Sequence, residues 1–130
     1  MALSNGTGGY QVGAGADGEA ILSVQVAPTA LTAAATATAA QLSGGLFTFN
    51  GTAGNLTLPT VADLEAGIPS AQKVNSSFDF YVINTDGADA VTLAVGTGWT
   101  IVGAAAVAAT TSAHFRARKT ADGAWTAYRI

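Results

Sequence analysis

A chain of 130 residues is one domain's worth of protein, long enough for a single hydrophobic core. Only 10% of its residues are charged, against roughly a quarter in average soluble domains, so hydroxyls and amides supply most of its polarity. A net charge of −3 argues against a nucleic-acid binder, and the lack of cysteine excludes disulfides and thiolate metal sites.

The residues from Met1 to Gly6 lack the basic and apolar regions of a signal peptide, and the uncharged run from Ala20 to Ala62 is interrupted throughout by Thr, Gly, Gln, Asn and Pro. A soluble product made in a cytoplasm, with no membrane partner, is expected. Charge is unevenly spread. Up to Phe115 the only base is Lys73, against Asp17, Glu19, Asp63, Glu65, Asp79, Asp86 and Asp89; beyond it Arg116, Arg118, Lys119 and Arg129 face Asp122 alone. Such asymmetry suits charge-complementary contact between copies or with a partner.

Residues 1–18 are glycine-rich, and only Tyr10 and Val12 offer much to bury, so they read as an arm that is flexible or ordered only by a partner. Residues 19–130 are expected to form one domain. Ala20 to Ala27 alternates as a strand, and Pro28 breaks it. Thr29 to Thr38 follows as a strand. Thr38-Ala-Ala-Gln41 is a capping-box pattern for one helical turn, stopped at Gly44-Gly45. Leu46 to Asn50 and Asn55 to Leu58 are expected to pair as a hairpin across Gly51–Gly54, and Val61 to Ala66 forms a helical turn closed by Gly67.

Ser77 to Val95 carries the clearest pattern. Phe78, Phe80 and Val82 alternate with Asp79, Tyr81 and Ile83, then Val91, Leu93 and Val95 resume after Asn84-Thr85-Asp86-Gly87-Ala88-Asp89. That predicts a central hairpin with a long loop. Trp99 to Val102 is a strand, and Gly103 to Thr111 is strand-like. Ser112 to Lys119 turns Ala113, Phe115 and Ala117 inward and His114, Arg116 and Arg118 outward; after Thr120–Gly123, Ala124 to Ile130 returns beside it. About nine short strands with glycine turns indicate an all-β fold, a β-sandwich or jelly roll with one or two short helical turns. Each core alanine gives up about 2 kcal/mol relative to leucine, and burial between subunits would offset that, which favours an oligomer.

No residue set points to catalysis. Gly13-Ala-Gly15-Ala-Asp-Gly18 matches G-x-G-x-x-G but leads into a strand rather than a helix, so no nucleotide or other cofactor is expected. His114 is the single histidine, no metal-ligand cluster is visible, and Asp86 with Asp89 lacks the EF-hand ligand series. His114, Arg116 and Arg118 share one strand face and suit carboxylates across a subunit interface. Trp99, Trp125, Tyr81 and Tyr128 are candidates for a sugar-binding surface, but aromatics in a sandwich more often belong to the core.

From Thr38 onward the segments TAAQLSGG, NLTLPTVADLEAGIP, SFDFYVINTDGADAVTLAVGTGWTIVG, VAATTSAHFRARKT and AWTAYRI resemble a class of tailed-phage virion proteins. The resemblance covers about two-thirds of the chain and rests on a pattern of small residues rather than a catalytic signature. It implies a β-sandwich on the virion surface, a capsid decoration or cement protein, often a homotrimer, whose partner is the major capsid protein. A tail-fibre or receptor-binding carbohydrate-recognition module is the alternative. The glycine-rich arm is not part of the resemblance.

Overall fold

The computed structural model describes residues 22–130, so the arm, with Tyr10 and Val12, lies outside the described residues. The elements run β1 (Thr29–Leu31), β2 (Ala35–Thr36), α1 (Ala39–Gly44), β3 (Leu46–Phe49), β4 (Gly54–Thr57), α2 (Val61–Gly67), β5 (Ser77–Asn84), β6 (Val91–Ala94), β7 (Trp99–Val102), β8 (Ala106–Val107), β9 (Ser112–Ala121) and β10 (Ala124–Arg129). A six-stranded sheet has the order β1-β3-β5-β9-β10-β7, and a four-stranded sheet the order β2-β4-β6-β8. No helix among the described residues is long and apolar enough to cross a membrane.

The expected all-β sandwich or jelly roll is not what forms. The fold is mixed α/β, with two helices and with parallel and antiparallel pairs in both sheets. The reason lies in how successive strands meet. Neither expected hairpin pairs: β3 and β4 lie in different sheets, and so do β5 and β6. Strands adjacent in sequence cross from one sheet to the other, so the neighbour in each sheet comes two strands later and runs the same way. Hence β1, β3 and β5 pair in parallel in one sheet, as β2, β4 and β6 do in the other. The chain then turns back. β9 pairs antiparallel with β5, β8 with β6, and β10 with β9, while β7 pairs in parallel with β10.

Crossing between sheets explains where the small residues fall. Successive crossings stack closely, and a Cβ on Gly51 would lie 2.1 Å from the Thr32 carbonyl oxygen of the crossing below. Only glycine fits there. The longer crossing after β5 is held by a buried amide. Asn84 donates through Nδ2 to the carbonyls of Asp89 (2.8 Å) and Val107 (3.0 Å), and its Oδ1 accepts from Asp86 N–H (3.0 Å). Asp86 in turn accepts from the N–H groups of Ala88 and Asp89, which hold its carboxyl below the ordinary value. These bonds satisfy a loop that would otherwise bury bare polar groups.

The inward phase of each strand fills one core. Phe47, Phe49, Leu56, Phe80, Val82, Val91, Leu93, Phe115 and Trp125 are buried in it. Phe80 stacks on Phe115 with ring centroids 5.2 Å apart, a contact worth about 0.5–1.5 kcal/mol beyond its area. Both helices start as their sequences indicate. Thr38 and Gln41 complete the capping box, Thr60 accepts from Asp63 N–H, and Gly45 ends α1 at φ 82°, a left-handed conformation that disfavours a side chain.

Two further expectations are revised. The strand expected over Ala20 to Ala27 does not form in its described part: residues 22–27 take no regular structure and join no sheet, Gln25 Nε2 instead donating to the Gly44 carbonyl (2.7 Å), and Thr29 to Thr38 is broken into β1 and β2 by the first crossing. Only Ala106–Val107 of the strand-like stretch after Gly103 is a strand.

Candidate partner-binding face

The outer face of the six-stranded sheet is built by the register of β5 against β9. Tyr81 lies opposite His114, and Asp79 opposite Arg116. Their side chains point away from the core because Phe80, Val82, Ala113, Phe115 and Ala117 take the inward phase. Tyr81 and His114 stack with centroids 4.4 Å apart and planes 21° from parallel. Asp79 accepts from Arg116 through Nε (2.7 Å) and Nη2 (3.3 Å) in a forked pair.

The guanidinium of Arg116 holds the Asp79 carboxyl below its ordinary value, against partial desolvation, and Asp79 raises Arg116 in return. His114 Nε2 stands 3.5 Å from Asp79 Oδ1 and has no hydrogen-bond partner among the described residues. Arg118 is held elsewhere. It donates to the Tyr128 hydroxyl through Nε (3.1 Å) and to Asn75 Oδ1 through Nη1 (2.8 Å).

His114, Arg116 and Arg118 thus share one face, as the alternation indicated. The carboxylate facing Arg116 belongs to the same chain. Tyr81 and Asp79 complete the group; the sequence placed both outward, but only the β5–β9 register puts them beside the bases. Tyr10 and Val12 lie outside the described residues. Trp99 and Trp125 do not join Tyr81 and Tyr128 on a surface. They are buried, and their indole N–H groups donate to the Pro59 carbonyl and to Glu65.

The inward phase of β9 also carries a lysine. Lys119 is 3% exposed, and its Nζ lies 2.8 Å from Glu65 Oε2, with the Ala71 carbonyl at 3.3 Å and Asp122 at 3.8 Å. Trp125 Nε1 donates to the same Glu65 oxygen at 3.1 Å. Hydrogen bonds from Lys119 and then Trp125 hold the Glu65 carboxyl below its ordinary value. The pair fastens α2 to β9 and β10, and a buried ammonium requires such a partner. Nearby, Ser43, Ser70, Ser76 and Ser77 line a groove of about 360 Å³ with Phe78 and Ile68.

Among the described residues no three His, Cys, Asp or Glu side chains are grouped to hold a metal ion. Compared with known protein families, curated proteins and solved structures, the chain matches none.

Proposed function

We propose that this chain is a structural virion protein that binds the outside of a tailed-phage capsid lattice and stabilises the shell, with the major capsid protein as its partner. The observation that carries this reading is the Tyr81–His114 stack beside the Asp79–Arg116 fork, on an outward sheet face. Tyrosine and arginine dominate the energetics of protein interfaces. Here both are held in the protomer, so less side-chain freedom is lost on docking. The resemblance of residues from Thr38 onward to phage virion proteins supports the choice of partner. Cementing a shell needs a rigid body and a footprint on neighbouring subunits, and no reactive group.

The test is binding to purified particles that lack the protein. Tyr81→Ala and Arg116→Glu should each cut attachment at least tenfold, the equivalent of about 1.4 kcal/mol, while the circular dichroism of the free protein is unchanged. Equal binding by folded variants removes the face from the interface. Failure of the unaltered protein to bind particles removes the function.

The serine-lined groove favours a second reading, a carbohydrate-recognition module of a tail fibre. Under it, Ser76→Ala and Ser77→Ala would weaken binding to host surface polysaccharide and leave particle binding alone.

A further inference from the structure

The two arginines of the outer face are held by different kinds of partner. Arg116 forks onto a carboxylate, that of Asp79. Arg118 meets no carboxylate among the described residues. Neutral oxygens position it instead: Nε and Nη2 donate to the Tyr128 hydroxyl, and Nη1 donates to Asn75 Oδ1 at 2.8 Å. Asn75 is itself fixed for this contact. Its φ is 74°, a left-handed conformation that asparagine tolerates better than most residues. Its N–H donates to the Lys119 carbonyl at 2.8 Å, and Lys119 N–H donates to the Ser76 carbonyl at 2.9 Å. The loop is thereby pinned to β9 one residue past Arg118.

Arg116 and Arg118 stand two residues apart on β9, so they point to the same side of the sheet. Each still has N–H groups to offer: both on Nη1 of Arg116, and one on each Nη of Arg118. Asp79 balances one guanidinium and leaves the other without a counter-charge. That excess selects the ligand. A carboxylate carries a single negative charge on a planar pair of oxygens, which a guanidinium matches. A phosphate dianion would be repelled by Asp79 beside Arg116, and nucleic acid by a chain whose net charge is −3. The surroundings point to a protein as the carrier of that carboxylate. Tyr81 and Ile83 of β5, and Val102 beside Tyr128, are exposed apolar groups on the same face. Arginine among aromatic and aliphatic groups is the composition of a protein-binding centre.

We infer that Arg118, with Arg116 beside it, is a seat for an acidic side chain, and that the partner docks on this face by placing a glutamate or aspartate carboxylate there. Asn75 and Tyr128 are positioning residues that hold the guanidinium ready. The inference rests on the reading of this face as an interface, and not on the capsid being what meets it.

The experiment is nuclear magnetic resonance of the arginine Nε–H signals in the full chain, titrated with a capped tri-glutamate peptide at about 0.15 M salt. The Arg118 and Arg116 signals should shift together and saturate. Arg118→Lys keeps the charge and loses the fork, so the affinity read at the Arg116 signal should fall about tenfold. Asn75→Gly keeps the left-handed backbone and removes the side chain. It should weaken binding severalfold in the unaltered protein and not at all in the Arg118→Lys background. Lys73→Gln removes a positive charge from the loop of Asn75 without touching the seat, and should change nothing. Signals that do not move overturn the inference. So do full-strength binding by Arg118→Lys, binding by Lys73→Gln as weak as that of Arg118→Lys, or inorganic phosphate bound more tightly than the peptide. Binding to purified particles separates the two readings. A protein that takes the peptide and ignores particles upholds the seat and removes the capsid as partner. One that binds particles and ignores the peptide keeps the interface and overturns the seat.

Discussion

Lys119, on the inward side of β9, holds its ammonium 2.8 Å from the carboxylate of Glu65 on α2. The two groups are unequally buried, with 3% of the lysine side chain exposed and 23% of the glutamate. That inequality sets which half of the pair is the more costly to remove.

Glu65→Ala strands a buried ammonium and takes the acceptor from Trp125 Nε1. It should lower stability by about 3–5 kcal/mol, the range for breaking a buried pair. Lys119→Met leaves a carboxylate that can reach water and fills the space with apolar atoms, so it should cost about 1–2 kcal/mol. Urea unfolding of both variants checks the order. Equal losses would show that the ammonium finds another partner.

The same pair gives the stability a pH dependence. Glu65 is depressed below its ordinary value of 4.5, so its contribution is complete above that pH and is lost as pH falls through the lower folded value. Asp79 and Asp86 act in the same direction but count for less, Asp79 having 34% of its side chain exposed against 23% for Glu65 and Asp86 lying on an open turn. The melting temperature should therefore fall below about pH 4.5, and Glu65→Gln should flatten that fall. An unchanged profile in the variant would assign the acid loss to other carboxyls.

Asn84 makes a third prediction. Asn84→Ala removes both donors to the Asp89 and Val107 carbonyls and the acceptor for Asp86 N–H. The expected loss is about 2–4 kcal/mol, since unpaired buried groups cost about 1–3 kcal/mol each. Asn84→Asp should be worse than alanine, because it sets a carboxylate against two carbonyl oxygens. Chemical denaturation of both variants measures this. Aspartate tolerated better than alanine would mean that the crossing rearranges around the charge.

Local pattern carried much of this fold. Phe80 and Val82 inward, Tyr81 and Ile83 outward, the Thr38–Gln41 box and the β9–β10 hairpin are all written within a few residues of one another. Pairing was not. Phe47 and Phe49 of β3 alternate with the same period as Leu56 and Leu58 in and after β4, and that period fits two strands side by side as well as two strands facing across a core. The choice rests on contacts between crossings, such as Gly51 against Thr32, far apart in sequence. On the outer face the bases were legible from alternation, but Asp79 and Tyr81 joined them only through the register of β5. Lys119 follows Ala113, Phe115 and Ala117 on the inward phase, so its burial could be read from the same alternation. Its partner Glu65, on a separate helix, could not.

The central claim is attachment to the capsid through the outer face of the six-stranded sheet. Cryo-electron microscopy of purified particles tests it most directly. The account predicts copies on the outside of the shell, with Tyr81, His114 and Arg116 against the major capsid protein. Copies confined to the tail, or shell-bound copies that turn this face to solvent, would contradict it.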